Sequence, residues 1–274
     1  MNYRHAFHAG NFADLVKHAA LLQLLSRLMA QPAALQVIDT HAGRGLYDLG
    51  ASEAKRSGEA ETGVLRLMQA PGLPREVAPL RAAVTRLNKG GPARLYPGSP
   101  LLIVEALRPA DRYLACELRP EEHAALARTL KDRPGVETAC ADGFSTAAER
   151  CPRDGAALVL IDPPFERGDD YARIVETMVA VERRNPAAVG LVWLPLKDLE
   201  TFDAFLREVE DEVRAPLVVA EARMRPLTDP MRMNGCALLL TNPPADFAQP
   251  LERICAWTVQ ALGRDGAARV WAVS

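Results

Sequence analysis

The sequence has little cysteine, few aromatics and no surplus of positive charge. Its five cysteines, at 116, 140, 151, 236 and 255, form no C-x-x-C pair and sit mostly within or beside apolar segments. They read as reduced core residues of a cytosolic protein, with neither a disulfide frame nor a zinc site expected. Lys and Arg number 33 against 35 for Asp and Glu, so no whole-chain basic field advertises nucleic acid and any polyanion contact must be local. No stretch approaches the roughly eighteen uninterrupted apolar residues of a membrane span. The N-terminal MNYRHAFHAGN also lacks an apolar region followed by a small-residue cleavage site, so a soluble cytoplasmic protein is expected.

What is present is enough apolar material, 49% of 274 residues, for one large α/β domain or two small ones. Asn11 followed by Asp14 resembles a helix cap, and Phe12, Leu15, Val16, Ala19, Leu22, Leu25 and Met29 recur at helical spacing, which predicts a first helix ending before Pro32. Seven short apolar runs then read as strands: 36–40, 113–117, 136–140, 157–162, 189–194, 217–222 and 236–241. Helical patterns at 120–131, 169–183, 198–213 and 246–262 alternate with them. That rhythm predicts a doubly wound, mostly parallel seven-stranded sheet with helices on both faces, its last two strands forming an antiparallel edge pair.

Residues 50–95 break the rhythm, with apolar positions suited to short helices. They read as a helical insertion subdomain, 1–49 and 96–274 forming the main domain. From Glu53 to Arg94 there are eight Lys/Arg and four Asp/Glu, which on charge alone reads as a solvated helical surface.

The candidate chemistry lies at strand ends. DTHAGRGLYDL carries Asp39, Gly43 and Gly45 as D-x-x-x-G-x-G, where glycines let backbone approach a ligand. The third glycine of a dinucleotide fingerprint is missing, because position 48 is Asp, which disfavours NAD. Glu117 ends the second predicted strand and offers two oxygens to ribose hydroxyls. Asp142, in CADGF, ends the third and offers an acceptor to an adenine amino group. Three acids around a glycine turn without a phosphate cradle suit S-adenosylmethionine, a nucleoside with a cationic sulfonium.

The run LVLIDPPFE, 158–166, supplies the reacting end. Residues before proline are held extended, and proline has no N–H. Asp162 and the Pro163 carbonyl are therefore rigid acceptors suited to an NH₂ group, and Phe165 offers a ring for a base to stack on. An exocyclic amine is a poor nucleophile, and acceptors on its hydrogens return electron density to nitrogen. A second run, CALLLTNPPADF, also ends in Pro-Pro, but Ala245 stands where the ring would be and the run follows the antiparallel pair, so Asn242 reads as a turn residue. By residue type alone, His5, His8 and His18 read as polar N-terminal and helix-surface positions, and Ser99 as loop.

With these motifs in order, NYRHAFHAGNFADLVKH, DTHAGRGLYDL, YPGSP, CELRPEEH, ADGF and DPPF, the chain resembles the bacterial RlmJ family of S-adenosylmethionine-dependent 23S rRNA adenine-N6 methyltransferases. The resemblance covers nearly the whole chain. It implies a Rossmann-like methyltransferase core with a small helical subdomain, a monomer, the product S-adenosylhomocysteine, and no metal or membrane. Its target would be adenine 2030 of 23S rRNA, taken before full subunit assembly. It implies cofactor contacts at His18, His41, Gly43, Ser99, Glu117, Asp142 and Gly143, catalysis at Asp162, and substrate contacts at Tyr3, Pro163 and Phe165. Tyr3, Arg4, the insertion and the loop 223–233 would frame the entrance for a flipped base. A DNA adenine methyltransferase, a noncatalytic RNA-binding module, and a nucleotide-binding oxidoreductase whose DPPF is only a turn remain the alternatives.

Overall fold

The computed structural model describes residues 8–52, 58–229 and 231–273. Helix α1, Phe12–Met29, starts where Asn11 accepts a hydrogen bond from the Asp14 N–H at 2.9 Å, and it stops three residues before Pro32, as the sequence predicts. Among the described residues, ten strands follow in two sheets. The large sheet contains β1 (Leu35–Asp39), β4 (Arg112–Cys116), β5 (Val136–Ala139), β6 (Ala156–Ile161), β7 (Val189–Leu196), β8 (Leu217–Arg223), β9 (Gly235–Thr241) and β10 (Ala267–Val273), in the order β10-β8-β9-β7-β6-β1-β4-β5. The five strands from β5 to β7 are mutually parallel, because an intervening helix returns the chain to the same edge each time.

Helices cover both faces, and the period of two along each strand sorts side chains between them. Val37, Leu158, Leu160 and Leu191 join the cluster under α1, α5 (Ser99–Ala106) and α10 (Ala248–Leu262). Ile38, Val159, Ile161 and Val192 join the one under α7 (Gly143–Arg150), α8 (Asp170–Arg184) and α9 (Leu199–Glu212). The remaining crossover helix, α6 (Pro120–Thr129), connects β4 to β5. This is a Rossmann-like, doubly wound α/β architecture.

Two features differ from the sequence reading. The large sheet has eight strands, not seven, because β10 adds to the outer side of β8 in antiparallel register. The β8–β9 pair is antiparallel as expected, but it does not form the edge. AARVWAV is a short run whose side chains are mostly exposed, with Val270, Trp271 and Val273 partly buried, and it is held to β8 by backbone pairing. The other feature is a small hairpin of β2 (Leu46–Asp48) and β3 (Leu95–Pro97), between whose strands the chain makes α2 (Glu59–Thr62), α3 (Val64–Gln69) and α4 (Ala78–Leu87). Their fully buried Val64, Leu67, Leu80 and Val84 pack in the same cluster as α1. Val64 N–H also donates to the Gly10 carbonyl at 2.8 Å, and a Cβ on Gly63 would lie 2.0 Å from that oxygen. The helical segment therefore clamps the start of α1, which matters because α1 delivers side chains to the site.

Topology also disposes of the second Pro-Pro run. Because β9 runs antiparallel to β7, its end lies beside the start of β7, where Asn242 donates to the Pro186 and Ala188 carbonyls at 2.9 Å each. Asn242 is a turn residue with φ +48°, at the opposite edge from the end of β6.

Candidate active site

The carboxyl ends of β1, β4, β5, β6 and β7 open with α1 into a cavity of about 580 Å³, a size suited to a nucleoside-sized ligand plus part of a substrate. Ten of the eleven residues that the motifs single out fall in the described structure. His18, His41, Gly43, Ser99, Glu117, Asp142, Gly143, Asp162, Pro163 and Phe165 all line this cavity. Tyr3, and Arg4 beside it, lie outside the described residues.

At one end the glycine loop is fixed from below and from the side. Asp39, fully buried, accepts from Ser99 Oγ at 2.7 Å, Tyr113 OH at 3.2 Å and His41 N–H at 3.3 Å. Burial pushes its carboxyl up to about 6 despite those donors, so Asp39 serves as the anchor of the loop and not as cavity lining. Ser99, read from sequence as loop, is the first residue of α5, and its hydroxyl belongs to this anchor. Gly43 and Gly45 take φ of +62° and +79°, where a side chain would strain the turn. The Gly43 N–H donates to Glu117 Oε2 at 3.0 Å and the Arg119 N–H to Oε1 at 2.8 Å, so β4 holds the loop while each Glu117 oxygen keeps a free lone pair. Asp142 caps α7, accepting from Phe144 N–H at 3.0 Å, and a Cβ on Gly143 would sit 1.8 Å from the Thr40 carbonyl. Glycine is required there to let α7 approach β1.

His41 is neutral with a defined tautomer. The single hydroxyl proton of Thr40 goes to the Leu160 carbonyl at 3.0 Å, so Thr40 Oγ1 accepts from His41 Nδ1 at 2.7 Å and Nε2 is left as an acceptor. Burial pushes the His41 pKa down to about 4, with the nearby acids opposing. Between pH 6.5 and 4 the unfolded chain therefore takes up a proton that the fold refuses, and stability falls with acidification. Asp39 acts in the opposite sense, since its raised folded pKa makes stability rise as pH drops through about 6. His41→Phe, which keeps a ring edge-on to Phe144, should remove the first effect alone. Denaturant titrations should show the variant gaining about 3 kcal/mol on wild type between pH 7 and pH 4; parallel profiles would contradict it.

At the other end, Asp162 closes β6 and its Oδ2 receives Lys17 Nζ at 2.5 Å. Lys17 is 4% exposed and also pairs with Asp14 Oδ1 at 3.0 Å, one turn back on α1. Burial alone would lower the Lys17 pKa, but the two carboxylates hold it well above the usual lysine value. His18, assigned by residue type to the helix surface, is 1% exposed, and its Nδ1 hydrogen-bonds Tyr96 OH at 2.8 Å. Sequence reasoning missed Asp14 and Lys17; the available signal was a charged pair in a helix whose neighbouring Leu15, Val16, Ala19 and Ala20 are apolar around nearly the whole circumference. Phe165 takes φ +51° and lies 5.0 Å from Tyr171 and 5.8 Å from Trp193, ring centre to ring centre. It is half-buried in an aromatic nest at the cavity wall, so only part of its ring is left for a base. Trp193 and Lys197, also missed, complete this end with Met233, the last residue of the loop 223–233 that the sequence reading placed at the entrance.

A family profile described as ribosomal RNA large subunit methyltransferase D, RlmJ, matches residues 32–273. The chain belongs to the RlmJ family. The resemblance carried by the motifs thus holds across the length, and the protein is a methyltransferase of large-subunit ribosomal RNA. Ribosomal RNA large subunit methyltransferase J of Haemophilus influenzae is 31% identical over 97% of this chain and 95% of its own. The Escherichia coli protein of the same name is 30% identical over 94% and 92%. Protein LPL1258 from Legionella pneumophila, a crystal structure, superposes with a TM-score of 0.89 at 26% identity over 97% of this chain and 99% of that one. Among the described residues no helix is long and apolar enough to cross a membrane, and no group of three or more His, Cys, Asp or Glu side chains is placed to hold a metal.

Proposed function

We propose that the chain transfers a methyl group from S-adenosylmethionine to the N6 amine of an adenine in 23S rRNA, with adenine 2030 as the target. The observation that carries this is the rigid Asp162-Pro163-Pro164 turn, clamped by Lys17, in one cavity with the Glu117 and Asp142 strand ends. The cavity fits that cofactor: acids at two strand ends suit ribose hydroxyls and an adenine amine, acids outnumber bases in the lining, and a phosphate cradle is not needed. Glu117 and Asp142 would hold the nucleoside, Gly43 and Gly143 would let it approach the backbone, and His18, His41 and Ser99 would shape the wall. When bound, S-adenosylmethionine supplies an electrophilic methyl and leaves as neutral S-adenosylhomocysteine.

The chain's own residues do the rest. Lys17 occupies Asp162 Oδ2, leaving Oδ1 for one amine hydrogen, and the Pro163 carbonyl takes the other. As nitrogen forms its bond to carbon, one N6 proton becomes acidic and passes to Asp162, directly or late in the step, a contribution of about 10²–10⁴-fold. Fixed geometry supplies much of the remainder. Phe165 and Trp193 exclude water beside the flipped base, and Lys197, exposed at the rim, provides a cation for a flanking phosphate. Tyr3, the helical segment 50–95 and the loop 223–233 frame the RNA entrance in this reading, and the protein acts as a cytoplasmic monomer on rRNA before the subunit is fully assembled.

Mapping N6-methyladenine in large-subunit rRNA from cells with and without the protein tests the whole reading. One adenine should lose its methyl group in the deleted strain and regain it on complementation. Methylation by the purified enzyme of duplex DNA but not rRNA would overturn the reading.

A further inference from the structure

We infer that Arg173 is a positioning residue of the cofactor pocket, one that locks the Asp142 carboxylate for recognition of the adenine base; this rests on the S-adenosylmethionine reading above. Arg173 lies one turn into α8 and faces back across the cavity to the end of β5. Its Nη2 donates to Asp142 Oδ2 at 2.6 Å, and its guanidinium carbon stands 4.4 Å over the centre of the Phe144 ring. Phe144 in turn meets the His41 ring edge-on at 4.7 Å. Four side chains from three elements thus form one column along the wall that the adenine would contact.

The hydrogen-bond pattern gives the column its purpose. Asp142 Oδ1 accepts the Phe144 and Ser145 N–H groups at 3.0 and 3.4 Å, so with Arg173 on Oδ2 the carboxylate is held at both oxygens and cannot rotate. The two N–H groups fill Oδ1, while Oδ2 keeps one lone pair beside Arg173, and an N6 amine would find that acceptor already aimed. Burial alone would raise the Asp142 pKa; Arg173 and the two N–H groups bring it below the usual carboxylate value, so the acceptor stays ionised. An exposed ion pair would be worth little. This one is stacked on a ring, is 22% and 33% exposed, and has its acid on the wall of the cavity. A base with oxygen in place of the amine presents an acceptor to Asp142 and is repelled, so the lock acts on base identity as well as on affinity.

The test compares wild type, Arg173→Gln and Arg173→Lys in the full chain by calorimetry, with S-adenosylhomocysteine and its deaminated counterpart S-inosylhomocysteine as probes. Arg173→Gln should weaken S-adenosylhomocysteine about tenfold, the worth of one well-aimed hydrogen bond to a charged acceptor. It should weaken the inosine analogue much less, so that the preference for adenine shrinks. Arg173→Lys should recover part of the preference. KM for the cofactor should rise while kcat at saturation stays within about twofold, the pattern of lost uniform binding. Should Arg173→Gln melt much earlier than wild type without ligand, Arg173→Lys carries the same ratio test. An unchanged affinity for S-adenosylhomocysteine, or an equal loss for both probes, overturns the inference. Failure of the wild type to bind S-adenosylhomocysteine overturns the cofactor reading instead, and this inference with it.

Discussion

Asp162→Ala is expected to cut methyl transfer by about 10³-fold or more while S-adenosylhomocysteine still binds within about threefold of wild type, the signature of an interaction made only in the transition state. The fold should tolerate the change, because Lys17 keeps Asp14 at 3.0 Å as its counter-ion and Asp162 already faces the cavity. Asp162→Asn should be nearly as inactive despite its matching shape. An amide has one acceptor and one donor end, whereas Asp162 must accept on both sides, from Lys17 Nζ on Oδ2 and from the substrate amine on Oδ1. Whichever way the amide turns, its NH₂ faces another donor. Single-turnover methylation of an rRNA fragment reads the rate and calorimetry reads the cofactor. A rate within tenfold of wild type in either variant would remove Asp162 from the chemistry.

That carboxylate was legible in sequence because its context is local: an apolar strand, an acid, two prolines and a ring within nine residues, 158–166. Glu117 and Asp142 were legible for the same reason, since an acid that ends a parallel strand must project at the ligand-binding edge of the sheet. Lys17 was not, because its partner lies 145 residues away and no local pattern encodes the contact. His18 and Ser99 failed as residue-type readings on the same ground, being defined by Tyr96 and Asp39 across the fold, and the motif resemblance alone had pointed to them. Strand β10 escaped because its side chains are mostly exposed and periodicity reports burial, while its pairing with β8 is a backbone matter. The Asn242 turn shows the converse: local pattern alone makes it resemble the site, and only strand direction places it at the wrong end of the sheet.

Lys17→Met is expected to be the more damaging change for the fold. Whereas Asp162→Ala leaves a cation and an acid together, Lys17→Met leaves Asp14 and Asp162, 3% and 17% exposed at their side chains, without the ammonium that both contact. Stranding buried charge in this way costs about 3–5 kcal/mol, and for a chain of this size each kcal/mol lowers the melting temperature by roughly 2–4 °C. Salt should not rescue the variant, because buried pairs are screened far less than exposed ones. Asp14→Asn in the Lys17→Met background should recover part of the loss by removing one of the two charges. Turnover should stay low in that double variant, because the amide neutralises Asp14 but nothing restores the contact that fixes Asp162 Oδ2. Recovery of stability without recovery of rate would separate the two duties of Lys17, charge balance on α1 and aim at the end of β6. A Lys17→Met protein that melts with wild type at pH 7 would mean that the ion pair is not formed in solution.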